Sequence, residues 1–235
     1  MTRRIVLDTE TTGLDPAQGH RVIEIGCVEL VGRRLTERRF HTYINPERDI
    51  DAGAMQVHGI TNERVANEPV FAAIAEEFVE FIRGAELVIH NAAFDVGFLD
   101  AEFGLLKRGE KIADLCAIVT DTLKMAREMR PGKRNSLDAL CKDFGVDNSN
   151  RQLHGALLDA ELLAEVYLAM TRGQESLMME LDAGVGAAAP IVAAGRAPLR
   201  VLRAGEDELA DHQRVLAEIG KESKGKCLWL SEPAG

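Results

Sequence analysis

The sequence predicts an α/β domain with a mixed sheet flanked by helices, followed by a flexible linker and a small C-terminal module. Three observations carry that expectation. Ile5-Val6-Leu7 and Leu87-Val88-Ile89 are short apolar runs of the kind that form buried strands. Residues 21–30 and 38–44 alternate in polarity on either side of the turn-like Val31-Gly32-Arg33, as antiparallel strands do. Residues 69–83, 92–107 and 136–144 carry helical signals, with Gly84 and Gly145 as C-terminal stops. Strands first and helices later around one sheet make a layered α/β domain.

The first strand runs into DTETTG, residues 8–13. Side chains alternate along a strand, so Asp8 and Glu10 point to the same side. Neighbouring carboxylates resist joint ionisation unless a cation neutralises them, which makes this pair a candidate chelate for Mg²⁺ or Mn²⁺. Taken alone, the string is equally an acidic strand edge in which Thr9, Thr11 and Thr12 cap backbone groups.

The second apolar run leads into HNAAFD, residues 90–95, and a segment whose Phe94, Phe98, Leu99, Phe103 and Leu106 suit a helix packed on the sheet. Asp95 then falls in the first turn, where an aspartate also serves simply to balance the helix dipole. The third string, HGALLD at residues 154–159, opens a helix with the apolar stripe Leu158, Leu162, Val166 and Met170, and Asp159 lies off that stripe. His154 and Asp159 converge only if His154 precedes the helix or sits in its first turn; a surface cap and a solvated helix charge are the plain alternative. Read together, four carboxylates can hold a pair of hard cations, and one imidazole can take a proton from water at neutral pH.

With VHGI at 57–60, RGAELVIHNAAFD at 83–95, PGKRNSLDALC at 131–141 and LHGALLDAELLAEVYLAM at 153–170, the chain resembles the DEDDh 3′-to-5′ exonucleases over nearly its whole length. Among them it is most similar to the proofreading subunits of bacterial replicative DNA polymerases. The resemblance implies a ribonuclease H-like fold and two divalent ions, Mg²⁺ or Mn²⁺, held by Asp8, Glu10, Asp95 and Asp159. It implies His154 as general base, and release of nucleoside 5′-monophosphates from a mispaired, single-stranded or frayed primer 3′ end. It also implies that the His58 loop contacts the terminal nucleotide, while Asp8, Glu10 and Asp159 meet the scissile phosphate through their metals. A lone histidine beside Gly59 is otherwise a turn residue, and Gly53 stands where related chains carry an acidic contact. Two other readings share these residues: an RNA-trimming enzyme of the same superfamily, and a scaffold subunit with a silent nuclease fold.

A chain of 235 residues with 46% hydrophobic content can bury a sizeable core in one domain. Cys27, Cys116, Cys141 and Cys227 form no C-x-x-C pair, which argues against zinc ligation or a disulfide framework and suits a reducing cytosol. The charged start runs straight into the first strand and no apolar run reaches membrane-spanning length, so a cytoplasmic protein with no membrane partner is expected. The net charge is −10, and residues 1–170 hold 20 Lys and Arg against 28 Asp and Glu. A protein that grips DNA by its own phosphate contacts is normally basic. Weak unaided DNA binding, with a partner presenting the strand end, is therefore expected.

Domain boundaries follow from the change in texture after Met170: an exonuclease domain at 1–172, a linker at 173–198 and a terminal module at 199–235. Residues 183–198 are dominated by Ala, Gly and Pro, a composition that buries no core. Beyond them, residues 199–202 read as a strand, Leu209, His212, Leu216 and Ile219 as one face of a short helix, and Cys227-Leu228-Trp229-Leu230 as an apolar cluster. A module of about 35 residues lacks an independent core, so it is expected to fold on another protein, with a loosely packed tail as the alternative. By the resemblance, that protein is the polymerase III alpha subunit. Residues 174–179, QESLMM, resemble the peptide by which such subunits engage the sliding clamp, with Gln174 polar and Leu177 and Met179 as apolar anchors. A theta-like third subunit is a further partner the resemblance raises.

Overall fold

Ile5, Val6 and Leu7 are all fully buried because β1 (Arg3–Thr11) is the central strand of a five-stranded sheet covered on both faces. The computed structural model describes residues 2–149, 151, 153–172, 204–223 and 229. β1 pairs antiparallel with β2 (Val22–Val31), which pairs antiparallel with β3 (Arg34–Tyr43). On its other side β1 pairs parallel with β4 (Glu86–Ile89), and β4 pairs parallel with β5 (Ile118–Asp121), giving the order β3-β2-β1-β4-β5. Gly32 and Arg33 both adopt left-handed backbone, φ 54° and 65°, the two-residue turn whose twist matches an antiparallel hairpin.

The helices of the first unit are α1 (Ala52–His58), α2 (Asn62–Val65), α3 (Phe71–Ile82), α4 (Ala92–Leu105), α5 (Ile112–Leu115), α6 (Thr122–Met129), α7 (Leu137–Phe144) and α8 (Ala156–Met170). Strand alternation sorts the core into two layers. Ile5, Leu7, Leu87 and Ile89 join Phe71 and Phe78 of α3 and Phe98 and Phe103 of α4 on one face. Val6 and Val88 join Leu140 of α7 and Leu163, Val166 and Tyr167 of α8 on the other. The same alternation sends Asp8 and Glu10 to the α8 side and Thr9 to the α4 side.

Two polar anchors fix the helices that matter for the site. Glu102 of α4, 2% exposed, accepts from Arg21 Nε and Nη2 at 2.8 Å each and from the Val22 amide at 3.1 Å. Glu24 of β2 accepts from the Ala156 amide at 3.1 Å, satisfying one of the unpaired donors at the start of α8, and its other oxygen meets His41 Nε2 at 2.7 Å. Beside it, Gly26 lets α8 rest on the strand itself: a Cβ there would lie 2.2 Å from the Ala156 carbonyl carbon. Cys27 and Cys141 are fully buried in opposite core layers, and Cys116 is half-buried.

The strands and helices expected within residues 1–172 are present with shifted ends. β3 begins at Arg34 rather than 38, since Val31↔Arg34 pairing closes the hairpin although this part of the edge strand is polar. β5, α1, α2, α5 and α6 add short elements that the periodicity did not isolate.

The chain divides into two units, Met1–Val185 and Gly186–Gly235. In the second, α9 (Glu206–Glu222) is a helix of 17 residues, longer than the short helix expected, with Glu206, Asp207 and Glu208 in its first turn and half-exposed Leu209, Val215 and Ile219. Trp229 is 82% exposed. The expected strand at 199–202, the linker at 173–198, the segment at 174–179 and the rest of the terminal apolar cluster lie outside the described residues. Among the described residues no helix is long and apolar enough to cross a membrane.

Candidate active site

The carboxyl ends of β1 and β4 lie side by side because their parallel register pairs Leu7 with Ile89. Asp8 and Glu10 stand opposite Gly26 and Glu24 of β2, just before an irregularity between Glu10 and Thr11. Past β4, Asn91 adopts left-handed backbone at φ 66°, a conformation asparagine tolerates, and turns the chain directly into α4. Asp95 therefore sits in the first turn of α4. There the Thr9 amide and hydroxyl both donate to its Oδ1. The third contribution comes from α8: Gly155 is its N-cap, Asp159 lies in its first turn, and His154 precedes the helix with its amide bonded to Val57 O at 3.2 Å.

All five residues line one cleft of about 540 Å³. Glu10, His154 and Asp159 each offer a ligand atom within 4.8 Å of the others. His154 Nδ1 is 3.2 Å from Asp159 Oδ2, so the two residues converge as a histidine preceding the helix permits. His154 remains exposed, whereas Asp95 and Asp159 are buried.

The electrostatics divide the acids into two kinds. Burial, reinforced by the charges of Asp159, Glu24 and Asp95, pushes Glu10 up to about 8. Burial pushes Asp95 up to about 7 against the opposing Thr9 hydrogen bonds. Asp8 is held well above the usual carboxylate range, first by burial and then by Asp95, Glu10 and Asp159. Asp159 behaves oppositely. Burial raises it, but its contacts with His154 and the Arg151 guanidinium outweigh that and hold it low. Three acids thus crowd together short of positive charge, which is the donor set that hard divalent cations take.

Several residues of the site escaped the sequence reading. Arg151 forks onto Asp159, Nε to Oδ1 at 2.5 Å and Nη2 to Oδ2 at 2.6 Å. Thr9 fixes Asp95, while Glu24 and Gly26 seat α8. His90 and Arg127 line the same cleft, and His90 Nδ1 meets Thr122 Oγ1 at 3.0 Å. Glycine in a strand is a recognised sign of close backbone approach, so Gly26 was detectable; the others carry no periodic signal.

His58 lies apart from the four acids and His154, in an adjoining cleft of about 590 Å³ that shares Thr9, Glu10 and Phe94 with the first. It is buried, its Nδ1 accepts from the Ile60 amide at 3.0 Å, and its Nε2 has no hydrogen-bond partner among the described residues. Gly53 lines this second cleft too, as does Asp51.

The family model described as exonuclease (RNase_T) matches residues 5–167. DNA polymerase III subunit epsilon of Pasteurella multocida (strain Pm70) is 52% identical over 97% of this chain and 93% of its own length. The subunit of the same name from Escherichia coli (strain K12) is 51% identical over 97% of this chain and 98% of its own. Among solved structures, exonuclease X in complex with 5′ overhanging duplex DNA aligns at a TM-score of 0.58 and 24% identity, over 73% of this chain and 93% of its own. E. coli exonuclease I in complex with a dA16 oligonucleotide aligns at 0.63 and 19%, over 77% and 43%. At those identities the two structures attest the shared fold. The chain belongs to the exonuclease family and, within it, to the DNA polymerase III epsilon subunits.

Proposed function

We propose that the chain is the proofreading 3′-to-5′ exonuclease of a DNA polymerase III complex, removing mispaired nucleotides from a primer 3′ end as nucleoside 5′-monophosphates. One observation carries this reading: Asp8, Glu10, Asp95, His154 and Asp159, drawn from β1, α4 and the entry to α8, line a single cleft.

The exonuclease family implies divalent metal ions, and the residues present fit them. Asp8, Glu10, Asp95 and Asp159 would hold two, Mg²⁺ or Mn²⁺. Bound there, such a pair supplies an acidified water and neutralises the charge that develops on the departing 3′ oxygen. The chain's own residues do the rest. Thr9 fixes one oxygen of Asp95. Glu24 and Gly26 hold the α8 terminus, and with it Asp159, against the strand. His154, exposed at the cleft, takes the proton of the attacking water on its imidazole once a ring nitrogen is free to accept it. In the adjoining cleft His58 Nε2, buried and without a partner among the described residues, is available to the terminal nucleotide.

The assembly reading extends to partners. Residues 199–235 would dock on the alpha subunit, supported by the half-exposed Leu209, Val215 and Ile219 of α9, and residues 174–179 would engage the sliding clamp. The test of the activity is a gel assay on a 3′-mispaired DNA primer with Mg²⁺, beside an RNA of the same sequence. Stepwise shortening of the DNA end by wild type and none by Asp8→Ala is expected; equal digestion by both proteins would defeat the assignment. Co-elution with alpha that survives removal of residues 173–235 would defeat the docking reading.

A further inference from the structure

Arg151 lies on the chain entering α8, and its side chain is only 6% exposed. Besides the fork onto both oxygens of Asp159, its Nη1 reaches Asp138 Oδ1 at 2.6 Å and its Nη2 lies 2.8 Å from His154 Nδ1. A guanidinium is a permanent donor with nothing to accept. His154 Nδ1 lies between that donor and Asp159 Oδ2, 3.2 Å away, so the imidazole is drawn into the same cluster. Two capacities of the site are occupied at once. Asp159 has both oxygens engaged by a cation, and His154 Nδ1 is engaged by the same guanidinium.

Asp138 offers a way out of that arrangement. It lines the same cleft, is 59% exposed, and already holds the far end of the guanidinium. A rotation that releases Nε and Nη2 can leave the Nη1 contact in place.

We propose that Arg151 is a positioning residue that serves as an internal counter-cation: it holds Asp159 and His154 in a silent arrangement until a divalent metal displaces it toward Asp138. The inference rests on the reading of Asp159 as a metal ligand. Its consequence is that metal entry and the release of His154 from the guanidinium are one event. Arg151 also spares the metal-free protein an unpaired buried carboxylate at Asp159.

The test uses the full chain and two readouts: Mn²⁺ titration calorimetry and thermal melting in EDTA. Arg151→Gln should bind Mn²⁺ about ten-fold or more tightly than wild type, because a charge-assisted fork no longer competes. It should melt earlier than wild type in EDTA, and the gap should close in saturating Mn²⁺. Arg151→Lys, which keeps the charge and loses the fork, should fall between the two. Equal Mn²⁺ affinity in wild type and both variants would overturn the inference alone. Mn²⁺ binding by Asp159→Asn equal to that of wild type would overturn the metal-ligand reading beneath it.

Discussion

Thr9 Oγ1 donates to Asp95 Oδ1 at 2.7 Å and the Thr9 amide donates to the same oxygen at 3.1 Å, joining β1 to α4 across 86 residues of sequence. Thr9→Val keeps the shape and the amide bond but removes the hydroxyl. A hydrogen bond to a charged acceptor contributes roughly 1.5–3 kcal/mol. We expect the metal concentration for half-maximal nuclease activity to rise by about ten-fold while the melting temperature in Mg²⁺ moves little. A large loss of stability with unchanged metal dependence would show that the bond serves folding alone.

His154 is exposed, so its loss should spare the fold. A general base supplies ~10²–10⁴ in rate. His154→Ala should keep wild-type circular dichroism and lose activity within that range on a mispaired primer. Turnover within a few-fold of wild type would remove His154 from the chemistry.

Gly26 and Gly97 make a matched pair of glycine-to-alanine tests. A Cβ at Gly26 would strike backbone of α8, whereas one at Gly97 in α4 meets nothing within 4 Å. Gly26→Ala should destabilise by roughly 1–3 kcal/mol and, by moving Asp159, depress activity beyond what the stability loss explains. Gly97→Ala should stabilise by roughly 0.5–1 kcal/mol and leave activity intact. Urea denaturation curves and primer digestion measure both.

In EDTA, stability should fall as pH rises. Glu10 is raised from 4.5 to about 8 and Asp95 from 3.8 to about 7, so the folded chain binds these protons more tightly than the unfolded chain does. Their contribution is fully present below the unfolded values and is lost as pH climbs through the folded ones. Asp159, held low, works the other way, and its contribution is lost only in acid. Melting temperatures in EDTA should therefore decline from mildly acidic to mildly alkaline pH, and Glu10→Gln should lessen the decline. Saturating Mg²⁺ should flatten the profile. A rise across that window in EDTA would contradict the crowding of the acids.

Much of this was legible in the sequence, and the reasons are local. Strands buried on both faces leave unbroken apolar runs, as at Ile5-Val6-Leu7 and Leu87-Val88-Ile89, and amphipathic helices leave stripes, as in α3. The clustered acids of the cleft were visible because they fall where those signals end. β5 was not, since Ile118 to Asp121 offers four residues and no clear alternation. Arg151 was not, because an arginine in an irregular stretch acquires its meaning only from the side chains brought around it. The reach of Glu24 to the α8 amide, 132 residues away, is likewise a product of the fold.

The burial of Cys27 and Cys141 on opposite sides of the sheet gives the molecule a pair of internal clocks. Burial pushes both thiols up, Cys141 to about 11, so little thiolate forms at neutral pH and no reagent reaches either sulfur in the closed protein. Labelling at Cys27 then times the parting of the α3–α4 layer and labelling at Cys141 the parting of the α7–α8 layer, which tells whether the two halves of the sandwich breathe together or in turn.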